Sequence, residues 1–221
     1  MKPANARERG NTFVCFHGFF NVKEEFKFIE DAFNGYNFIY PNLYELFDND
    51  SEDMNIWIKN IKEQLYKIYE EVGKFTLVGY SLGGLIASIC ADLPFVERIV
   101  LVAPAYHYIS RNEKKYPNIS SLEEFELKKN NISLNKFTSV YTILLNLFED
   151  GLKNSNARML FFQGVAEVSV DYYHCQKLYQ NLHNPNKQMI CIGTAGINML
   201  EDEESKEIIA SVMSLFVAKS N

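Results

Sequence analysis

Ser81 stands between Gly79 and Gly83 in the stretch TLVGYSLGGLIAS, residues 76–88. A serine hydroxyl is a poor nucleophile near neutral pH and becomes a useful one when a neighbouring base takes its proton. The G-x-S-x-G spacing serves that chemistry by setting the serine on a sharp, strained strand-to-helix turn, where a side chain at a flanking glycine would strike the adjoining strand or helix. The bare pattern is common by chance. Here the apolar run FTLVGY leads into Ser81 and the helical run LGGLIASICA follows it, which is the context that gives the motif meaning.

The base must come from four histidines, His17, His107, His174 and His183. His107 follows the run RIVLVAP, and in an open α/β sheet the carboxyl ends of the strands form the ligand crevice, so His107 can reach Ser81 as a replacement base. The competing reading makes it a solvated residue of the tripeptide YHY, with Tyr106 and Tyr108 packing. His174 lies about one turn into a helical stretch and His183 near the end of it, where a cation suits the helix dipole; both read as surface residues. His17 reads as a satisfied buried histidine.

These groups need a sheet to position them. Five short apolar runs, TFVCFH (12–17), KFTLVGY (74–80), RIVLVAP (98–104), RMLFFQG (158–164) and QMICIG (188–193), are continuous rather than alternating. Strands buried on both faces have this character, so a parallel sheet covered by helices is expected. YNFIYP (36–41) predicts a sixth strand at an edge, stopped by Pro41. Ser51, with Glu52 and Asp53 behind it, opens a helix carrying Trp57, Ile61, Leu65, Ile68 and Val72 on one face and ending at Gly73. Acidic EDEES (201–205) opens a last helix that turns Ile208, Ile209, Val212 and Phe216 to the sheet.

Strand and helix alternate throughout except from about 105 to 155, a stretch that is polar and lysine-rich, then amphipathic. It reads as a cap inserted after the strand that ends at Pro104. The expected architecture is one domain over residues 1–221 of class α/β, a doubly wound, mainly parallel sheet with helices on both faces and a short cap at about 105–155.

Bulk properties exclude several function classes. A chain of 221 residues buries roughly 70% of its unfolded surface, enough for a sizeable core. No apolar run approaches the roughly 18 residues of a membrane span, and the polar start MKPANARERGN shows no secretory signal, so the cytoplasm is expected. Cys15, Cys90, Cys175 and Cys191 have no C-x-x-C spacing, and three lie in or beside apolar segments. They read as buried small hydrophobes in a reducing compartment, and neither a metal site nor a cofactor is expected. A net charge of -6 without a basic cluster argues against nucleic acid as a partner.

With the elbow in place, the chain resembles the α/β-hydrolase family from Thr12 to Phe216, most closely its small carboxylesterases and monoacylglycerol-lipase-like members with a short cap. FVCFHGFFNVKEEFKFIEDAF is similar to the family's first conserved loop, in which the residue after His-Gly supplies an oxyanion-hole N–H. That implies Phe19 and Leu82 as the two donors, with His17 bracing the loop. RMLFFQGVAEVSVDYYHCQKLYQ resembles the acid-bearing segment, which implies Glu167, three residues after Gly164, with Asp171 a weaker alternative. NKQMICIGTAGINMLEDEES resembles the segment that bears the family's histidine, and the place of that histidine is taken by Ile197.

Two functions remain open at the level of sequence. The first is a serine hydrolase for an acyl ester or thioester, with weak or specialised activity. Ser81 is its nucleophile, Phe19 and Leu82 its oxyanion donors, and a substitute base such as His107 serves it; Phe19 and Phe20 are placed to line an acyl pocket. The second is a non-catalytic protein of the same fold that binds an apolar or acyl ligand, or a protein partner. The intact elbow favours the first, and Ile197, an apolar side chain in the imidazole's place, favours the second.

Overall fold

The structure, a computed structural model, describes residues 11–18, 23–43, 54–106, 133–166, 172–193, 195 and 199–218. Six strands, β1 (Thr12–Phe16), β2 (Asn37–Ile39), β3 (Phe75–Tyr80), β4 (Val96–Val102), β5 (Arg158–Gly164) and β6 (Lys187–Ile192), form one sheet in the order β2-β1-β3-β4-β5-β6. Every neighbouring pair is parallel. Six helices are described: α1 (Lys27–Ala32), α2 (Met54–Val72), α3 (Leu82–Ile89), α4 (Leu134–Lys153), α5 (Tyr172–Asn181) and α6 (Glu203–Ala218).

The continuous apolar runs are explained by two cores, one on each face. Val14, Phe16, Leu77, Ile99, Leu101, Met159 and Phe161 point into a core shared with α2, α3, α4 and α5. Their alternates Phe13, Cys15, Val78, Val100, Val102, Leu160 and Phe162 point into a second core with α1 and α6. Each central strand is thus buried on both faces, as its sequence requires. β2 stands at an edge, as expected. β6 departs from expectation: Gln188 and Cys191 are exposed and only Ile192 is fully buried. It is the other edge of the described sheet, with Met189 packed against the first core and Ile190 against the second without full burial.

On α2, Trp57, Ile61 and Leu65 are buried in the first core, with Ile68 and Val72 packed against it; Ser51 to Asp53 lie outside the described residues. On α6, Ile209, Met213 and Phe216 are buried in the second core. Its first turn is capped by Asp202, whose Oδ2 accepts from the Ser205 hydroxyl at 2.5 Å and the Ser205 N–H at 2.8 Å, and these bonds, the hydroxyl's first, hold the Asp202 carboxyl below its usual range.

Within the stretch expected as a cap, residues 134–153 form α4, which precedes β5. Its apolar face, Phe137, Val140, Tyr141, Leu144, Phe148 and Leu152, is buried in the first core. An amphipathic stretch cannot say from sequence whether its face covers a crevice or a sheet; here it covers α3 and the sheet. The rest of the segment assigned to the cap, 107–132, lies outside the described residues.

Candidate active site

The strand order reverses between β1 and β3: the chain runs outward from β1 to β2, then returns to β3 and proceeds the other way to β6. In an open α/β sheet ligands bind outside the carboxyl ends of the strands at such a reversal. Phe16, the last residue of β1, is register partner to Gly79 of β3. The loop entered by His17 and Gly18 and the turn at Ser81 therefore flank the crevice.

Ser81 has φ 52° and ψ -120° and is the N-cap residue of α3. This conformation is sparsely populated for a residue with a Cβ and costs on the order of 1–3 kcal/mol. Its surroundings hold it there. The Ser81 N–H donates to Val102 O at 3.0 Å, and Ser81 O accepts from the N–H groups of Gly84, Leu85 and Ala105 at 3.0, 3.2 and 3.0 Å. A Cβ on Gly79 would lie 2.7 Å from Gly83 O and from Gly84 Cα, and one on Gly83 would lie 2.2 Å from Phe16 O and 2.4 Å from His17 O. The glycines of the motif are small so that α3 can seat itself on the end of β1. Leu82 opens α3 with its side chain buried, and the N–H groups of a first helical turn have no partner within the helix.

The exit of β4 forms the neighbouring wall. Ala103, at φ 42°, donates its N–H to Phe162 O at 2.9 Å, and Ala105 two residues on donates to Ser81 O. Tyr106 is buried, stacks on Phe148 with ring centroids 4.5 Å apart, and shares a 2.7 Å hydrogen bond with Ser88 Oγ. Ser88 Oγ in turn donates to Gly84 O at 2.7 Å, and the Tyr141 hydroxyl donates to Ala105 O at 2.8 Å. Burial pushes the Tyr106 phenol well above its ordinary pKa, so it acts as a neutral hydrogen-bonding anchor.

No protein-family model matches the sequence, and no curated protein matches it. Solved structures do match in three dimensions. A metagenome-derived lipolytic enzyme, of the LipS and LipT pair, superposes with TM-score 0.69 at 16% identity over 96% of this chain and 94% of its own. A monoacylglycerol lipase from Paleococcus ferrophilus gives TM-score 0.69 at 16% identity, over 95% of each chain. An alpha/beta hydrolase enzyme from the metagenome of lagoon sediments of Mar Chica, Morocco, gives 0.67 at 19% identity, over 93% of this chain and 91% of its own. The fold is that of the α/β-hydrolases.

Within this α/β-hydrolase fold the structure brings Ser81, Leu82 and the His17-Gly18 segment together at the reversal. His17 Nδ1 donates to Gly18 O at 2.8 Å, since a carbonyl oxygen can only accept. Burial lowers the His17 pKa against the raising effect of that bond, which favours the neutral ring. His174 and His183 are exposed, on α5 and just beyond it. Phe19, Phe20, His107, Tyr108, Glu167, Asp171 and Ile197 lie outside the described residues. Among the described residues no group of three or more His, Cys, Asp or Glu side chains is placed to hold a metal ion, and no helix is long and apolar enough to cross a membrane.

Two features near these turns were not read from sequence. Ser88 was legible as the one hydroxyl in LGGLIASICA, one turn beyond Gly84, although nothing named Tyr106 as its partner. Gln163 was the one polar residue between apolar positions and Gly164 at the end of β5. It is fully buried, and neither end of its amide has a hydrogen-bond partner. Such a group is costly unless water or a ligand satisfies it.

Proposed function

We propose that this chain is a serine hydrolase of weak or specialised activity, acting on a carboxylic ester or thioester. The observation that carries the reading is the conformation of Ser81, φ 52° and ψ -120°, held at the point where the strand order reverses. A pure binding protein has no evident need for Gly79, Ser81 and Gly83 in that order around it.

In this reading Ser81 Oγ attacks the acyl carbon. The negative charge that develops on the acyl oxygen meets the N–H groups of Leu82 and Phe19. The Gly18 carbonyl supports the second donor: in a planar trans peptide the N–H points opposite the C=O, so fixing Gly18 O through His17 also fixes the direction of the N–H of residue 19. The serine proton passes to a base and then to the departing alkoxide or thiolate, and water cleaves the acyl-enzyme by the reverse route.

We assign the base to His107. Ala105 is bonded to Ser81 O at 3.0 Å, and His107 follows two residues later, so its Cα lies within about 7 Å of that of Ala105. Glu167, at the exit of β5, is the acid if an imidazole needs orienting. With Ile197 in the usual place of the histidine and no substitute, the expected loss is about a million-fold, roughly 8 kcal/mol of barrier, which would confine turnover to esters with good leaving groups. A short cap inserted after β4 on a single domain, and a cytoplasmic setting that suits the four free cysteines, belong to the same reading.

Covalent labelling of Ser81 by a fluorophosphonate, read by mass across pH in wild type and His107→Ala, tests this. Rapid labelling of wild type that is lost in His107→Ala is the expected result; no labelling of folded wild type would overturn the enzyme reading. Ile197→His should raise ester hydrolysis by orders of magnitude if the remaining machinery is intact. No gain in a folded variant would favour the second reading, a ligand-binding protein with Ile197 filling the imidazole's place.

A further inference from the structure

At the amino-terminal end of the sheet, opposite Ser81, lies a cleft of about 340 Å³ whose charged lining is Lys74, Asp92, Glu97, Arg98 and Arg158. Arg98 and Arg158 are register partners on β4 and β5. Register partners on adjacent parallel strands project from the same face with backbones about 5 Å apart. Two guanidinium side chains therefore start side by side, where their charges repel. The Arg158 guanidinium lies 4.7 Å over the Phe216 ring, and both burial and Arg98 depress its pKa.

The carboxylates beside Arg98 are already engaged. Glu97 is shared between Arg98 Nη1 at 3.4 Å and Lys74 at 3.8 Å, and Asp92 is engaged by Lys62 at 3.3 Å. The Arg98 side chain is 14% exposed, and its Nε–H is buried with no hydrogen-bond partner. A buried donor on a charged group, left unpaired next to a second like charge, points to an acceptor that the protein does not itself supply. Asn156 and Asn186 also line the cleft and bring side-chain amides able to donate.

From this arrangement we infer that the cleft binds a phosphate group, free or on a small ester, with the Arg98 fork as principal ligand and Arg158 as the second positive charge. The planar guanidinium presents Nε–H and an Nη–H in parallel, the geometry that suits two oxygens of one oxyanion. The site is independent of the reading of Ser81, which lies at the other end of the strands.

Calorimetric titration of the full chain with inorganic phosphate and, separately, glycerol phosphate, at constant ionic strength set by chloride, tests it. Saturable one-to-one binding is expected, weakened about tenfold or more in Arg98→Lys, which keeps the charge but loses the fork, and in Arg158→Gln. Equal affinity for the two probes would identify free phosphate as the ligand, and tighter binding of the ester would identify a phosphate ester. Absence of saturable binding by folded wild type, or unchanged affinity in both variants, overturns the assignment. Should either variant misfold, protection of Arg98 in wild type from a dicarbonyl reagent by phosphate, read by peptide mass, decides the matter: protection is expected, and equal modification with and without phosphate overturns it.

Discussion

Two turns leave the carboxyl end of the sheet side by side, and each holds a residue with a Cβ at positive φ, Ser81 after β3 at 52° and Ala103 after β4 at 42°. Among the described residues no other non-glycine residue has positive φ. The two are tied together: Ser81 N–H donates to Val102 O, just before Ala103, and Ala105 N–H donates back to Ser81 O. Yet one presents a half-buried hydroxyl at the mouth of the crevice, whereas the other buries a methyl group in the second core. Strain alone therefore does not mark a reactive residue. At Ser81 it accompanies a helix driven hard against the neighbouring strand, and at Ala103 it steers the chain so that Ala105 can brace the first turn.

The sharpest way to break this comparison is at Gly83. A Cβ there would fall 2.2 Å from Phe16 O and 2.4 Å from His17 O, both backbone atoms that cannot swing aside. Gly83→Ala should cost about 3 kcal/mol or more, because α3 must lift off the end of β1. Chemical denaturation checks it, and a loss below about 1 kcal/mol would mean that the helix is not seated as tightly as the geometry requires.

A milder perturbation reaches the same turn through its floor. The His17 pKa is lowered in the folded protein, so the unfolded chain binds more protons as pH falls. The stability contributed by neutral His17 is fully present above the unfolded value of about 6.5 and is lost as pH drops through the folded value. His17→Gln should flatten the fall in stability below about pH 6.5, measured against the variant's own stability at pH 8. A variant whose pH profile superposes on that of wild type would show that His17 titrates alike folded and unfolded.

The difference between the two turns also explains what the sequence could disclose. Ser81 was legible because its turn needs glycines at fixed spacing, and β5 was legible to the residue because its apolar run is closed by Gly164. β4 begins at Val96, two residues before the run read from Arg98, since Glu97 interrupts the pattern without interrupting the strand. The exposure of β6 and the destination of the α4 face depend on where elements sit in the sheet, which a local pattern does not encode. Ala103 left no signal at all: an alanine at positive φ is set by its partners Val102, Phe162 and Ser81 and not by its own type. The expected acid, base and missing-histidine positions, Glu167, His107 and Ile197, fall beyond the described residues, so they are matters for the labelling and rescue experiments.

Replacing each strained residue by glycine sharpens the comparison at the smallest scale. Glycine relieves a strain of about 1–3 kcal/mol and costs about 0.5–1 kcal/mol in unfolded-state entropy. Ser81→Gly loses no core side chain, so it should stabilise the protein by about 1 kcal/mol while abolishing labelling, the sign expected of a residue kept for chemistry at the expense of stability. Ala103 is 1% exposed, so Ala103→Gly also forfeits a buried methyl worth about 0.8 kcal/mol. The terms nearly cancel, and its denaturation midpoint should stay within about 0.5 kcal/mol of wild type. Equal gains at the two positions would mean that the methyl of Ala103 contributes nothing to the second core. A gain at Ala103 with none at Ser81 would mean that the strain belongs to the wall of the crevice and not to its nucleophile.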